Sequence, residues 1–192
     1  MNETATATTN RNNNLDLYKS TSNDALTPQL HGRWQNLIAT NAAVAIGSRV
    51  SGGKTEIYVN GMCVQLGAKA TSFPSVAIVA GEPKFADDAS SILTNPTVVI
   101  EIVSGTADIS DRAEKLERYL ALASIKECFL VRADEMRIEH YARQNAKQWL
   151  YRIYDGRDDV VSLDAINCKL SVAEFYAQVK VREASLASRS VH

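Results

Sequence analysis

The chain has 192 residues, 45% of them hydrophobic, and a formal net charge of −1, which suits one hydrophobic core and one domain. So even a balance excludes the global basic field that draws a protein onto nucleic acid or a membrane surface and leaves only local basic groups for such contacts. Three cysteines, Cys63, Cys128 and Cys168, form no C-x-x-C pair and do not cluster with His31, His140 or His192. Their spacing offers no zinc site, and they read as reduced thiols of a soluble, cytoplasmic protein.

In chain order, residues 1–26 are rich in Asn, Thr and Ser, with no apolar targeting segment, and are expected to be a disordered polar leader. Thr27 and Pro28 resemble an N-cap and first helical residue, and Leu30, Trp34, Leu37, Ile38 and Ala45 follow at helical spacing up to Gly47. Strands are then expected at "TEIYVN", "MCVQL" and, after Pro74, "SVAIVA", followed by a polar loop, "GEPKFADDASSILTNP". The apolar run "TVVIEIV" leads into a helix from about Ser110 to Ala123. Beyond it "ECFLVR", "MRIEHYAR" and "QWLYRIYD" suggest a meander that "DVVSL" extends. Ser171 and Glu174 have capping-box spacing and open a last helix. The order predicts an α/β domain over 27–180, a central mixed β-sheet flanked by helices, with a loose tail at 181–192. No segment approaches the length needed to span a membrane.

Two motifs that suggest chemistry fail on context. "SRVSGGKTE" nearly spells a phosphate-binding loop, but Ser48 stands where the first glycine belongs, and a helix precedes and a strand follows, the reverse of the required order. No G-x-S-x-G elbow is present for serine-hydrolase chemistry. The junction "VSGTAD" could aim backbone N–H groups at an anion, although most such junctions are only a loop and a cap.

The informative position is Glu101. A strand buried on both faces reads as a continuous apolar run, and "TVVIEIV" is one apart from this carboxylate. Left unpaired it would cost several kcal/mol, so a metal ion, a basic partner or a proton must compensate it. On the following helix Asp111, Lys115 and Tyr119 fall four apart on one stripe, with Leu116 and Leu120 on the neighbouring stripe. The stem of Lys115 could carry its ammonium to the strand. A carboxylate meeting a lysine at a strand end is the kit for metal-assisted phosphodiester hydrolysis. It is equally a structural ion pair, to Lys115 or Arg112.

"TNPTVVIEIVSGTADISDRAEKLERY" resembles the signature of the Uma-two family of "putative restriction endonucleases", in the PD-(D/E)XK nuclease superfamily: an N-P turn, a strand ending E-V-x-S, then D-R-x-x-K-x-x-x-Y. Asn95, Pro96, Glu101, Ser104, Asp111, Arg112, Lys115 and Tyr119 match it without a gap. His31, Pro74 and the "LSVAEFY" ending extend the likeness over about 31–179. The resemblance implies a restriction-endonuclease-like core and DNA cleavage dependent on Mg²⁺ or Mn²⁺, with a homodimer as one further option. It makes Glu101 the metal ligand and Lys115 the catalytic lysine, moved from the place Val103 occupies onto the helix. Asp111, Tyr119 and Ser104 become supporting residues. It also exposes a departure, because Ser75 stands where the family places the second metal-binding carboxylate, the aspartate of the P-D motif. Asp87, Asp88 or Asp108 would have to replace it, or catalysis is impaired. The alternative is an inactive member that binds nucleic acid or a protein partner.

Overall fold

The computed structural model describes residues 32–50, 53–68, 70–105 and 109–181, the side chains of 109–111 excepted. The expected leader and nearly all of the expected tail, and with them Thr27, Pro28 and His31, lie outside the described residues.

Helix α1 spans Arg33–Gly47. It begins behind Gly32, whose N–H donates to Gln35 Oε1 at 2.7 Å. Strands β1 (Thr55–Val59), β2 (Cys63–Gln65), β3 (Thr71–Ser72), β4 (Val76–Ala80), β5 (Ile92–Leu93) and β6 (Val98–Val103) follow. Helix α2 (Ile109–Ala121) then crosses to β7 (Glu127–Arg132), β8 (Ile138–Arg143) and β9 (Trp149–Tyr154). The chain continues through β10 (Val160–Leu163), a 3₁₀ turn at Asp164–Ile166, β11 (Cys168–Ser171) and the short helix α3 (Val172–Phe175).

Six strands form the central sheet in the order β1-β4-β6-β7-β8-β9. Only β6 and β7 are parallel, as a strand-helix-strand crossover requires. The other neighbours are antiparallel, so the sheet is mixed, with helices on both faces. The meander β7-β8-β9 is as expected. The segment "DVVSL" does not extend it: β10 pairs with β11 in a separate ribbon. Likewise β2 leaves the main sheet and pairs with β3 and with β5, a strand inside the segment expected to be loop. The near-phosphate-loop sequence joins α1 to β1 as a turn, with residues 51 and 52 outside the described set.

Alternation along the strands gives the two faces different partners. Val98, Ile100 and Ile102 of β6, with Phe129 and Val131 of β7, pack on Ile38, Ala42 and Ile46 of α1. On the other face Val99 and Cys128 are buried with Tyr119 and Ile125, and Leu116 and Leu120 pack alongside. The small sheet covers the β4 end of this second face, through Val64 and Leu93 against Ala77 and Val79. Strand β6 is thus enclosed on both sides, which is why its sequence is almost unbroken apolar. Glu101 shares the α2 face with Val99.

Arg143 fixes the end of α2. Its guanidinium donates to the carbonyls of Leu120 (2.7 Å), Leu122 (2.9 Å) and Ile125 (2.8 Å) while stacking over Trp149 at 4.2 Å. A cation satisfying the last carbonyls of a helix is favourable both as a cap and against the helix dipole. The register of α2 over β6 is therefore anchored at its far end by β8 and β9.

Candidate active site

Glu101 lies near the middle of β6 and is 5% exposed. Its Oε1 sits 2.9 Å from Lys115 Nζ. The same oxygen accepts the Tyr119 hydroxyl at 2.5 Å. That hydroxyl is in turn 2.7 Å from Ser72 Oγ. Four residues from three elements thus form one connected group: Ser72 on β3, Glu101 on β6, Lys115 and Tyr119 on α2. Burial, with Glu101 and its charge next in line, pushes the Tyr119 phenol well above its usual value, so it remains a proton donor. The adjacent Cys128 thiol is also pushed far up, chiefly by burial, and carries no thiolate chemistry.

Ser75 completes the arrangement. In the β4–β6 ladder Val76 faces Ile100, so the next pair outward is Ser75 with Glu101. Ser75 is 1% exposed, and its Oγ accepts the Ile102 N–H at 3.1 Å. The position aligned with the expected carboxylate therefore does stand beside Glu101, and it holds a neutral hydroxyl committed to the backbone.

Of the proposed replacements, the two that are described do not join Glu101. The Asp87 carboxylate is turned into its own loop, accepting the N–H groups of Ser91 and Ile92 at 3.0 and 2.9 Å and the Ser91 hydroxyl, which holds it below the ordinary carboxylate range. Asp88 is exposed, and Asp108 lies outside the described residues. Among the described residues no three His, Cys, Asp or Glu side chains come together as a metal site. Mg²⁺ favours hard, largely anionic oxygen ligands in octahedral array. One carboxylate already bound to an ammonium, beside one serine, does not fit that requirement.

The remaining sequence candidates fall as follows. Lys115 and Tyr119 meet at Glu101, whereas Arg112 does not join them and contacts Glu139 at 3.5 Å. Ser104 follows the end of β6, next to Gly105. The Asp111 side chain is outside the described set, as are residues 106–108 of the "VSGTAD" junction.

Four further buried polar residues have no role assigned from the sequence. Ser72 fixes the Tyr119 hydroxyl. Glu139, on β8, is buried at 7% exposure and is held by Arg112 and Arg137. Glu127 and His140 pair at 3.1 Å in the interior, where Glu127 also accepts the N–H groups of Asp164 and Ala165. Neither acid carries the signal that Glu101 does, because Glu127 stands behind Lys126 at the head of "CFLV" and Glu139 lies in the mixed segment "RIEHY".

A family model described as "Putative restriction endonuclease" (Uma2) matches residues 23–174. A cyanobacterial relative, uncharacterized protein sll1609 of Synechocystis sp. (strain PCC 6803), is 28% identical over 116 residues, 60% of this chain. The match spans 66% of that relative, just under two thirds of its length. Among solved structures, a "putative nuclease belonging to DUF820" from Anabaena variabilis superimposes with a TM-score of 0.63 at 13% identity, covering 80% of this chain and 86% of the other. That likeness is one of fold. Among the described residues no helix is long and apolar enough to cross a membrane.

Proposed function

This chain belongs to the Uma2 family, described as "Putative restriction endonuclease", and from that premise we propose that it is a DNA endonuclease by descent whose Mg²⁺-dependent chemistry is impaired by serine at position 75. One observation carries the reading: Ser75 stands opposite Glu101, while Lys115 and Tyr119 occupy the Glu101 carboxylate. In an acidic pair, two carboxylates would repel each other and attract a divalent cation. With Ser75 the repulsion is gone, and the Lys115 ammonium supplies the compensating charge.

In this reading Glu101 is the retained ligand carboxylate and Tyr119 orients it by donating to Oε1. Lys115 is the group that would offset charge developing on a phosphate. The alternative, an inactive member that binds nucleic acid or a protein, is favoured by the same closed Glu101–Lys115 contact.

The deciding experiment is plasmid nicking by the purified chain in Mg²⁺ and in Mn²⁺, beside Glu101→Ala and EDTA controls. Impairment predicts nicking no faster than in either control with Mg²⁺. Vigorous Mg²⁺-dependent cleavage that both controls abolish would overturn it and mean that another acid has replaced the one missing at Ser75.

A further inference from the structure

Helix α2 lies over β6 and β7, and on the same side of the sheet β8 and β9 extend beyond it. In register Glu101 stands beside Leu130, Leu130 beside Glu139, and Glu139 beside Ile153. One row of side chains therefore runs from the candidate active site to the sheet edge. At its outer end Ile153 is 43% exposed and Tyr151 46% exposed, on the face where Val99 and Cys128 are fully buried.

Two cations frame this ledge. Arg112 Nη2 lies 3.5 Å and Arg137 Nε 3.3 Å from Glu139 Oε1, with their side chains 28% and 33% exposed. The other Glu139 oxygen accepts the Tyr141 hydroxyl at 3.3 Å, and the Tyr141 ring sits 5.0 Å from Tyr151. One buried carboxylate thus fixes two guanidinium groups that still reach water. Two guanidinium groups thus share one carboxylate beside an exposed aromatic side chain, while the neighbouring Arg132 is taken up by Asp134 and Glu135.

We propose that this ledge seats an unpaired nucleic-acid strand, with bases against Tyr151 and Ile153 and phosphates against Arg112 and Arg137. The assignment rests on the nuclease-family reading above and adds the form of the substrate. Exposed aromatic faces flanked by arginine are how proteins hold single strands, because an unpaired base has a free π-face and a duplex base does not. Successive same-face residues on a strand are about 6.7 Å apart, roughly twice the 3.4 Å rise per nucleotide, so a base fits between neighbouring side chains. A second copy of this chain docking here would bring these arginines toward their symmetry mates, whereas a phosphate backbone complements them.

The test is fluorescence anisotropy in EDTA, so that no cleavage contributes, using a labelled oligothymidylate and a duplex of equal length. Light scattering follows the mass of the protein. The native chain is expected to bind the single strand more tightly than the duplex. Tyr151→Ala should weaken that binding about tenfold, the worth of one base stack, and Tyr151→Trp should restore it. Arg137→Gln should lower the slope of log affinity against log salt by about 0.7, one phosphate contact on a single strand. Tyr151 is exposed, so its variants report binding rather than folding. Equal affinity for duplex, or no effect of Tyr151→Ala, overturns the proposal. So does a native dimer that Tyr151→Ala dissociates, which would assign the face to a second copy. Strand binding without nicking leaves the ledge standing whatever the fate of the catalytic reading. Nicking with unchanged strand binding in Tyr151→Ala does the opposite.

Discussion

Lys115 reaches Glu101 from one turn before Tyr119 on the same helix, and the two side chains converge on a single oxygen, Oε1, at 2.9 and 2.5 Å. A buried carboxylate in a central strand is tolerated only with such compensation. Removing the ammonium alone should therefore be worse than removing both charges. Lys115→Ala is expected to lower stability by about 3 kcal/mol, the low end for breaking a buried pair, because solvent still reaches 35% of the Lys115 side chain. The double variant Glu101→Gln with Lys115→Met should recover most of that loss. Urea unfolding of the two variants and the parent measures it. A double variant as unstable as Lys115→Ala would mean the pair is not what holds Glu101.

Ser75 is one substitution from a paired carboxylate. Ser75→Asp would place a second acid beside Glu101 while keeping an acceptor for the Ile102 N–H. In EDTA this variant should melt lower than the parent, because two neighbouring carboxylates cannot both ionise cheaply. Adding Mn²⁺ or Mg²⁺ should raise its melting temperature with ion concentration, since a ligand that binds only the folded state stabilises it. The parent should respond far less. Equal responses of parent and variant would contradict the role given to position 75.

Tyr119 gives a prediction on the alkaline side. Its folded pKa is raised above the ordinary 10.0, first by burial and then by Glu101. A group raised in this way contributes stability that is complete below its unfolded value and is lost as pH climbs from there toward the folded value. Tyr119→Phe should flatten stability above about pH 10. At neutral pH it should cost about 1.5–3 kcal/mol, the range for a hydrogen bond to a charged group. Denaturant midpoints at neutral and alkaline pH for both proteins test the two parts together.

Glu174 gives the acid-side counterpart. The Ser171 N–H is the main cause that holds its carboxyl below the ordinary 4.5, and Arg49 at 2.7 Å adds to it. A depressed carboxylate contributes stability that is present above its unfolded value and fades as pH falls through the folded one. Glu174→Gln should remove that part of the acid sensitivity and leave a shallower decline below pH 4.5. A pH series of urea midpoints shows whether it does. An unchanged slope would mean that the capping box contributes nothing through charge.

Some elements were legible in the sequence because burial dictates composition. Strand β6 reads as continuous apolar residues because it is covered on both faces, and α2 reads as a helix because Leu116, Tyr119 and Leu120 recur on one side. Those two periods permitted Lys115 to reach Glu101, and the family resemblance implied it and added Tyr119. The small sheet did not. Its strands β3 and β5 are two residues long, too short to show alternation. The pairing of β10 with β11, in place of an extension of the meander, depends on which edge is free, which no local pattern encodes. Ser72 was invisible for a similar reason: a serine in a two-residue strand carries no signal of its own, although a buried tyrosine hydroxyl always requires a partner. Nor does the spacing of Arg112 reveal its carboxylate, since Glu139 lies two strands away across the sheet.

Glu101, Lys115 and Tyr119 all lie within the single crossover that runs from β6 through α2 to β7, whereas Ser72 and Ser75 arrive from a distant hairpin region. The two halves of the candidate active site are therefore unequal in how they assemble and how they can be lost. Within the crossover Tyr119 reaches Glu101 across 18 residues of chain, whereas Ser72 reaches Tyr119 across 47, so the contact from β3 is the one with the larger closure cost. None of the crossover's internal contacts passes through position 75, so Glu101, Lys115 and Tyr119 keep their arrangement whichever side chain faces them from β4.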